Sequence, residues 1–111
     1  MKLRQVREIA LALPEVSEEP HFQSTSFRVR GKIIATAPPG ETYLHVFIQE
    51  SQHDQAIALH PECVEKLLWG NKVAGVKITL SAARPAVVKQ LLQQAWTSKT
   101  PKTLAAKLHK P

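Results

Sequence analysis

Residues 25–48, TSFRVRGKIIATAPPGETYLHVFI, decide the fold. Phe27 and Val29 alternate with Ser26, Arg28 and Arg30, the period-2 pattern of a half-buried strand. Gly31-Lys32 separates this run from Ile33–Ala37. A two-residue loop with glycine first predicts a type II′ hairpin, because glycine tolerates the positive φ needed there. Pro38-Pro39-Gly40-Glu41 reads as the next turn, with proline fixing one φ and glycine accepting φ > 0 beside it. Thr42–Ile48 is the clearest strand, with Leu44, Val46 and Ile48 on one face and Tyr43, His45 and Phe47 on the other. Three consecutive antiparallel strands follow from this stretch.

If helices cover the Leu44/Val46/Ile48 face, then Tyr43, His45 and Phe47 lie outside, near Arg28 and Arg30. Aromatic and basic groups on an open sheet are the ingredients of base stacking and phosphate neutralisation. The plainer alternative is an outer face covered by a loop, a terminal helix or a dimer partner.

Upstream, Leu3, Val6, Ile9, Ala10 and Leu13 mark one face of an amphipathic helix over Lys2–Leu13, which Pro14 ends. Pro14–Ser24 reads as a loop. Downstream, Ser51 reads as the N-cap of a short helix over about 52–60, with Asp54 in its first turn and Pro61 as its stop. Cys63–Trp69 and Val76–Leu80 read as two strands joined through Gly70–Gly75. Val87, Val88, Leu91, Leu92, Ala95 and Trp96 mark a helix over Pro85–Ser98, with Pro85 near its first position. Thr100-Pro101 starts a short extra helix over about 101–108. The expected fold is one α+β domain over 1–111, a two-layer α-β(3)-α-β(2)-α sandwich with an antiparallel sheet.

Composition narrows the class. The 111 residues are 43% hydrophobic and 22% charged, as in an ordinary globular chain large enough for its own core. One cysteine, Cys63, excludes an internal disulfide and fits a reducing, cytoplasmic setting. No run has the length of a membrane span, and no apolar leader is visible. Charge is segregated. Up to Glu65, six basic residues stand against all nine acids, a balance of −3, whereas residues 66–111 carry nine bases and no acid. A one-signed half points to an anionic partner, nucleic acid or an acidic protein, or else to a solvated basic surface paired with the acidic half.

An ordered set of motifs resembles a known family. Leu13-Pro14-Glu15-Val16, Glu18, His21-Phe22, Ser26-Phe27-Arg28-Val29, Gly31-Lys32-Ile33 and Ala35 resemble the N-terminal half of the MmcQ/YjbR family of small bacterial proteins. Pro61, Trp69-Gly70, Gly75-Val76, Leu80, Ala95-Trp96 and Pro101-Lys102 sit where that family has comparable residues. Two departures stand out: Val76 replaces an aromatic, and Ser81-Ala82-Ala83-Arg84 replaces acidic residues before the long helix. The resemblance implies a fold similar to type III secretion chaperones and a DNA-binding role, and it carries no catalytic residues. Fold analogy alone does not give a chaperone function.

Catalytic and metal chemistry find little support. His53 and His60 are seven apart on one helix, too far along the axis for one ion, and His21, His45 and His109 are scattered. His21 beside Glu18 or Glu19 lacks a nucleophile to serve. Cys63 is a reactive thiol if Lys66 lowers its pKa and a packed core residue otherwise. Trp69 and Trp96 read as core anchors or as the lining of a ligand pocket. The expectation is a non-enzymatic protein without cofactor or metal that binds DNA or another nucleic acid with little sequence preference. The expected phosphate contacts are Lys77, Lys89, Lys99, Lys102 and Lys107, joined by Arg28 and Arg30. Two rivals remain open: an interaction module, monomer or weak homodimer, using Tyr43, His45 and Phe47, and a small-ligand binder with a pocket near His21 and Trp69.

Overall fold

A computed structural model describes residues 1–104. It is a two-layer α+β sandwich, as expected. The elements are α1 (Leu3–Leu11), β1 (Val16–His21), β2 (Ser24–Val29), β3 (Lys32–Ala37), β4 (Tyr43–Val46), α2 (Glu50–Leu59), β5 (Val64–Trp69), β6 (Lys72–Thr79) and α3 (Pro85–Lys99), with a 3-10 turn at Leu80–Ala82. The six strands form one antiparallel sheet in the order β1-β2-β3-β4-β6-β5. α3 packs on β3 and β4, α2 on β5 and β6, and α1 on β1 and α3.

The sheet has one strand more than expected before α2. Val16–His21, read as a loop, is β1, paired with β2 from Val16↔Val29 to His21↔Ser24. Glu18, Glu19 and Pro20 are poor strand formers, so local propensity hides this strand. Tertiary contacts override it. Arg7 of α1 makes a two-pronged ion pair with Glu18, its Nη2 lying 3.0 Å from Oε2. Pro20 is tolerated because β1 is an edge.

The β2–β3 hairpin turns at Arg30-Gly31, not Gly31-Lys32. Arg30 has φ 51° and Gly31 φ 80°, so the turn is of the I′ kind, positive at both central residues, and Val29 pairs with Lys32 across it. α2 begins at Glu50 after Gln49, so Glu50 rather than Asp54 occupies its first turn, and Ser51 is not its cap. The β5–β6 turn is only Gly70-Asn71. Gly75 lies inside β6, and Leu80 in the 3-10 turn. Glu41, itself at φ 55°, accepts a hydrogen bond from the Leu3 N–H and so places a carboxylate at the N-terminus of α1.

The alternation read from β4 holds. Leu44, Val46 and Ile48 are buried against the helices with Phe27, Val29, Val76 and Ile78. The α3 stripe of Val88, Leu91, Leu92, Ala95 and Trp96 completes the core. Trp96 is fully buried, and its indole N–H donates to the Pro14 carbonyl at 2.9 Å. Residues 102–104 start the short helix expected over 101–108, and the rest of that span, with Lys107, lies outside the described residues. Among the described residues no helix is long and apolar enough to cross a membrane.

Candidate functional site

The sheet face opposite the helices is built from alternate residues of each strand. Strand pairing sets Thr36 beside His45, His45 beside Lys77, and Lys77 beside Glu65. Two bulges reshape this face. Phe27 pairs with Ala35 and Arg28 with Ile33, which leaves Ile34 as an extra residue in β3. Leu67 pairs with Gly75 and Leu68 with Val73, which leaves Ala74 as an extra residue in β6. A bulge re-aims the side chains beside it. Here both open onto the same hollow.

That hollow is a cleft of about 400 Å³. Its floor is Ile33, Thr36, His45 and Ala74, one end is formed by His21, Ser24 and Pro38, and the other by Phe47 and Trp69. Lys99, from the last turn of α3, also lines it. Trp69 was expected in the core if it did not line a pocket. It is 60% exposed, on edge strand β5, with its ring centroid 5.4 Å from that of Phe47. At the opposite end His21 packs edge-on against Phe22, 4.9 Å between centroids. Phe22 is 95% exposed at the β1–β2 turn and holds φ 57°, an uncommon conformation for a bulky side chain. Only the His21-Phe22 motif of the family resemblance marks it in the sequence, and no strand is expected on its N-terminal side.

The expected phosphate contacts among the described residues divide into three groups. Lys99 lines the cleft and Arg28 stands behind its His21, and neither carries an ion pair among the described residues. The Arg28 guanidinium donates to Ser26 Oγ at 2.9 Å and lies 3.4 Å from His21 Nδ1. Lys77 and Arg30 are engaged. Lys77 reaches Glu65 at 2.9 Å and lies 4.7 Å over the Tyr43 ring, and Arg30 bonds Glu15 through two nitrogens. The hydrogen bond that each donates to its carboxylate partner raises its pKa. Lys89 is exposed on α3, away from the cleft lining, and Lys102 is exposed after it. Thus Tyr43, His45, Phe47 and Lys77 share one neighbourhood that Lys89 does not join.

Other candidates resolve into packing. Burial, with the nearby Lys77 charge, pushes the His45 imidazole below its usual range. It is an uncharged hydrogen-bonding group at neutral pH. His53 is buried with Nε2 3.1 Å from the Ile48 carbonyl. Cys63 is buried, and its thiol is pushed up by burial and by the neighbouring Glu62, which overturns activation by Lys66. Glu18 is held by Arg7 and is not a partner of His21. No cluster of three metal-ligating side chains occurs among the described residues. A second hollow of about 270 Å³, between α2 and α3, is lined by glutamines such as Gln49, Gln90 and Gln94 and has neither charge nor aromatic.

Fold and cleft together define a small α+β protein with helices on one sheet face and an aromatic, cation-bearing cleft on the other. A family model described as YjbR matches residues 11–98, and the chain belongs to that family. The crystal structure of Deinococcus radiodurans protein DR2400, which carries the family-model domain DUF419, superposes with a TM-score of 0.73 at 19% identity. The match covers 99% of this chain and 89% of that one, and it shows the shared fold. No curated protein matches the chain significantly.

Proposed function

We propose that the protein is a non-enzymatic binder of nucleic acid that takes single strands on the outer sheet face. The observation that carries this reading is the cleft itself: Trp69 and Phe47 line one end and His21 the other, Phe22 packs on His21, and Lys99 in the lining and Arg28 behind His21 have no carboxylate partner among the described residues. Flat exposed rings stack on any base, and unpaired cations neutralise phosphates. A sheet face exposes no element shaped to enter a major groove, so unstacked bases suit it better than a duplex.

The segregated charge of the sequence enters through few residues. Lys99 and Arg28 contact phosphate directly, Lys77 must first loosen from Glu65, and Lys89 and Lys102 add only long-range attraction, screened within about 8 Å at physiological salt. The reading is tested by competition between single-stranded and duplex DNA of one sequence for the wild type and for Trp69→Ala. Single-strand preference that Trp69→Ala abolishes is expected. Equal affinity for the duplex, or no response to Trp69→Ala, sinks the proposal in favour of an interaction module.

A further inference from the structure

We infer that the outer cleft is a one-nucleotide pocket, holding a single nucleotide with its ring on Trp69 and its phosphate on Lys99. This rests on the nucleic-acid reading and narrows it. Size is the first ground. A volume of about 400 Å³ lies near the lower end of small-molecule sites, roughly 300–1,000 Å³, room for one ring-bearing unit and not a run of them.

Charge is the second ground. Among the described residues no Asp or Glu lines the cleft, and Lys99 is the one lysine that does. A lone cation in an apolar and aromatic lining suits a flat neutral ring bearing one anionic group. The His45 imidazole does not add to that cation. His45 is held neutral by burial and Lys77. Arginine only donates, so in its 3.4 Å contact with Arg28 the His21 Nδ1 is the acceptor, which leaves Nε2 facing other partners. His21 therefore offers a donor, His45 either a donor or an acceptor, and Ser24 and Thr36 offer hydroxyls that do both. Such a set reads the polar edge of a base without competing for its phosphate.

Stacking is the third ground. Phe47 props Trp69 from one side, yet the indole stays 60% exposed. A propped ring loses little freedom when a base lies on it.

The test is calorimetry and tryptophan fluorescence on the full chain with adenosine 5′-monophosphate, adenosine and ribose 5-phosphate, beside a short single-stranded oligonucleotide. The monophosphate should bind one-to-one, and removing either its ring or its phosphate should weaken binding about ten-fold or more. Trp69→Ala should weaken the monophosphate about ten-fold, Trp69→Phe much less, and Lys99→Gln should reduce it to the level of adenosine. An oligonucleotide that binds while the monophosphate does not overturns the one-nucleotide pocket and leaves the nucleic-acid reading standing. Failure of both ligands overturns both. A monophosphate that binds but ignores Trp69→Ala and Lys99→Gln overturns the placement.

Discussion

A methyl group at position 75 has no room. A Cβ built on Gly75 stands 2.4 Å from the Val46 carbonyl oxygen, 3.2 Å from its carbon and 3.3 Å from the Phe47 Cα. All three are backbone atoms, so no side chain can swing aside. An ordinary carbon–oxygen contact is about 3.3–3.6 Å, so Gly75→Ala must part β6 from β4 by about 1 Å next to the Val46–Val76 pair. Overpacking of this kind costs about 1–3 kcal/mol, and rigid backbone obstacles put it at the upper end. The lower entropy of the unfolded alanine chain offsets only about 0.4–1 kcal/mol. At roughly 4–8 °C per kcal/mol for a domain of this size, Tm should fall by about 10 °C. Urea unfolding should show a lower midpoint at unchanged slope. Gly31→Ala is the contrast, since nothing lies within 4 Å of its Cβ and only φ 80° resists the side chain, at about 1–2 kcal/mol. A Gly75→Ala protein within about 0.5 kcal/mol of wild type would refute the close-approach argument.

Three further outcomes follow from the same geometry. Phe22→Asn should raise stability by about 0.5–1 kcal/mol in urea unfolding, because asparagine accepts φ 57° more readily, and should weaken single-strand binding if the exposed ring stacks. Trp96→Phe should cost about 1–3 kcal/mol by calorimetric unfolding, since it leaves the Pro14 carbonyl without its indole donor. His45 has a folded pKa below the unfolded 6.5, so the unfolded chain takes up its proton first. That part of the stability is intact above about pH 6.5 and is lost as pH falls through the folded value, and His45→Gln should flatten the slope in a pH series of unfolding curves.

Much of this molecule was legible in the sequence. The strict alternation of Tyr43–Ile48 fixed which face of β4 is buried, and the six-residue apolar stripe of α3 fixed its packing. What escaped was set by partners distant in sequence. β1 exists because α1 and β2 hold a segment of poor strand formers. Trp69 is exposed because β5 lies at the sheet edge, a matter of strand order that periodicity does not encode. The cleft depends on two bulges, and a bulge shifts facing by one residue without marking the hydrophobic pattern. Charge segregation was plain in the sequence, but the fold sends Lys89 and Lys99 to different surroundings on one helix and ties Lys77 to Glu65.

We propose that single-stranded nucleic acid binds the outer sheet face through Trp69 and a few cations. That binding is tested most directly by fluorescence anisotropy with a labelled single strand, titrated across salt for wild type, Trp69→Ala and Lys99→Gln. With Arg28 and Lys99 as the phosphate contacts, log K should fall with log salt at a slope of about −1.4. Lys99→Gln should halve that slope, to about −0.7, and Trp69→Ala should lower affinity about ten-fold while leaving the slope unchanged. No binding at low salt, or binding that neither substitution alters, would contradict the account.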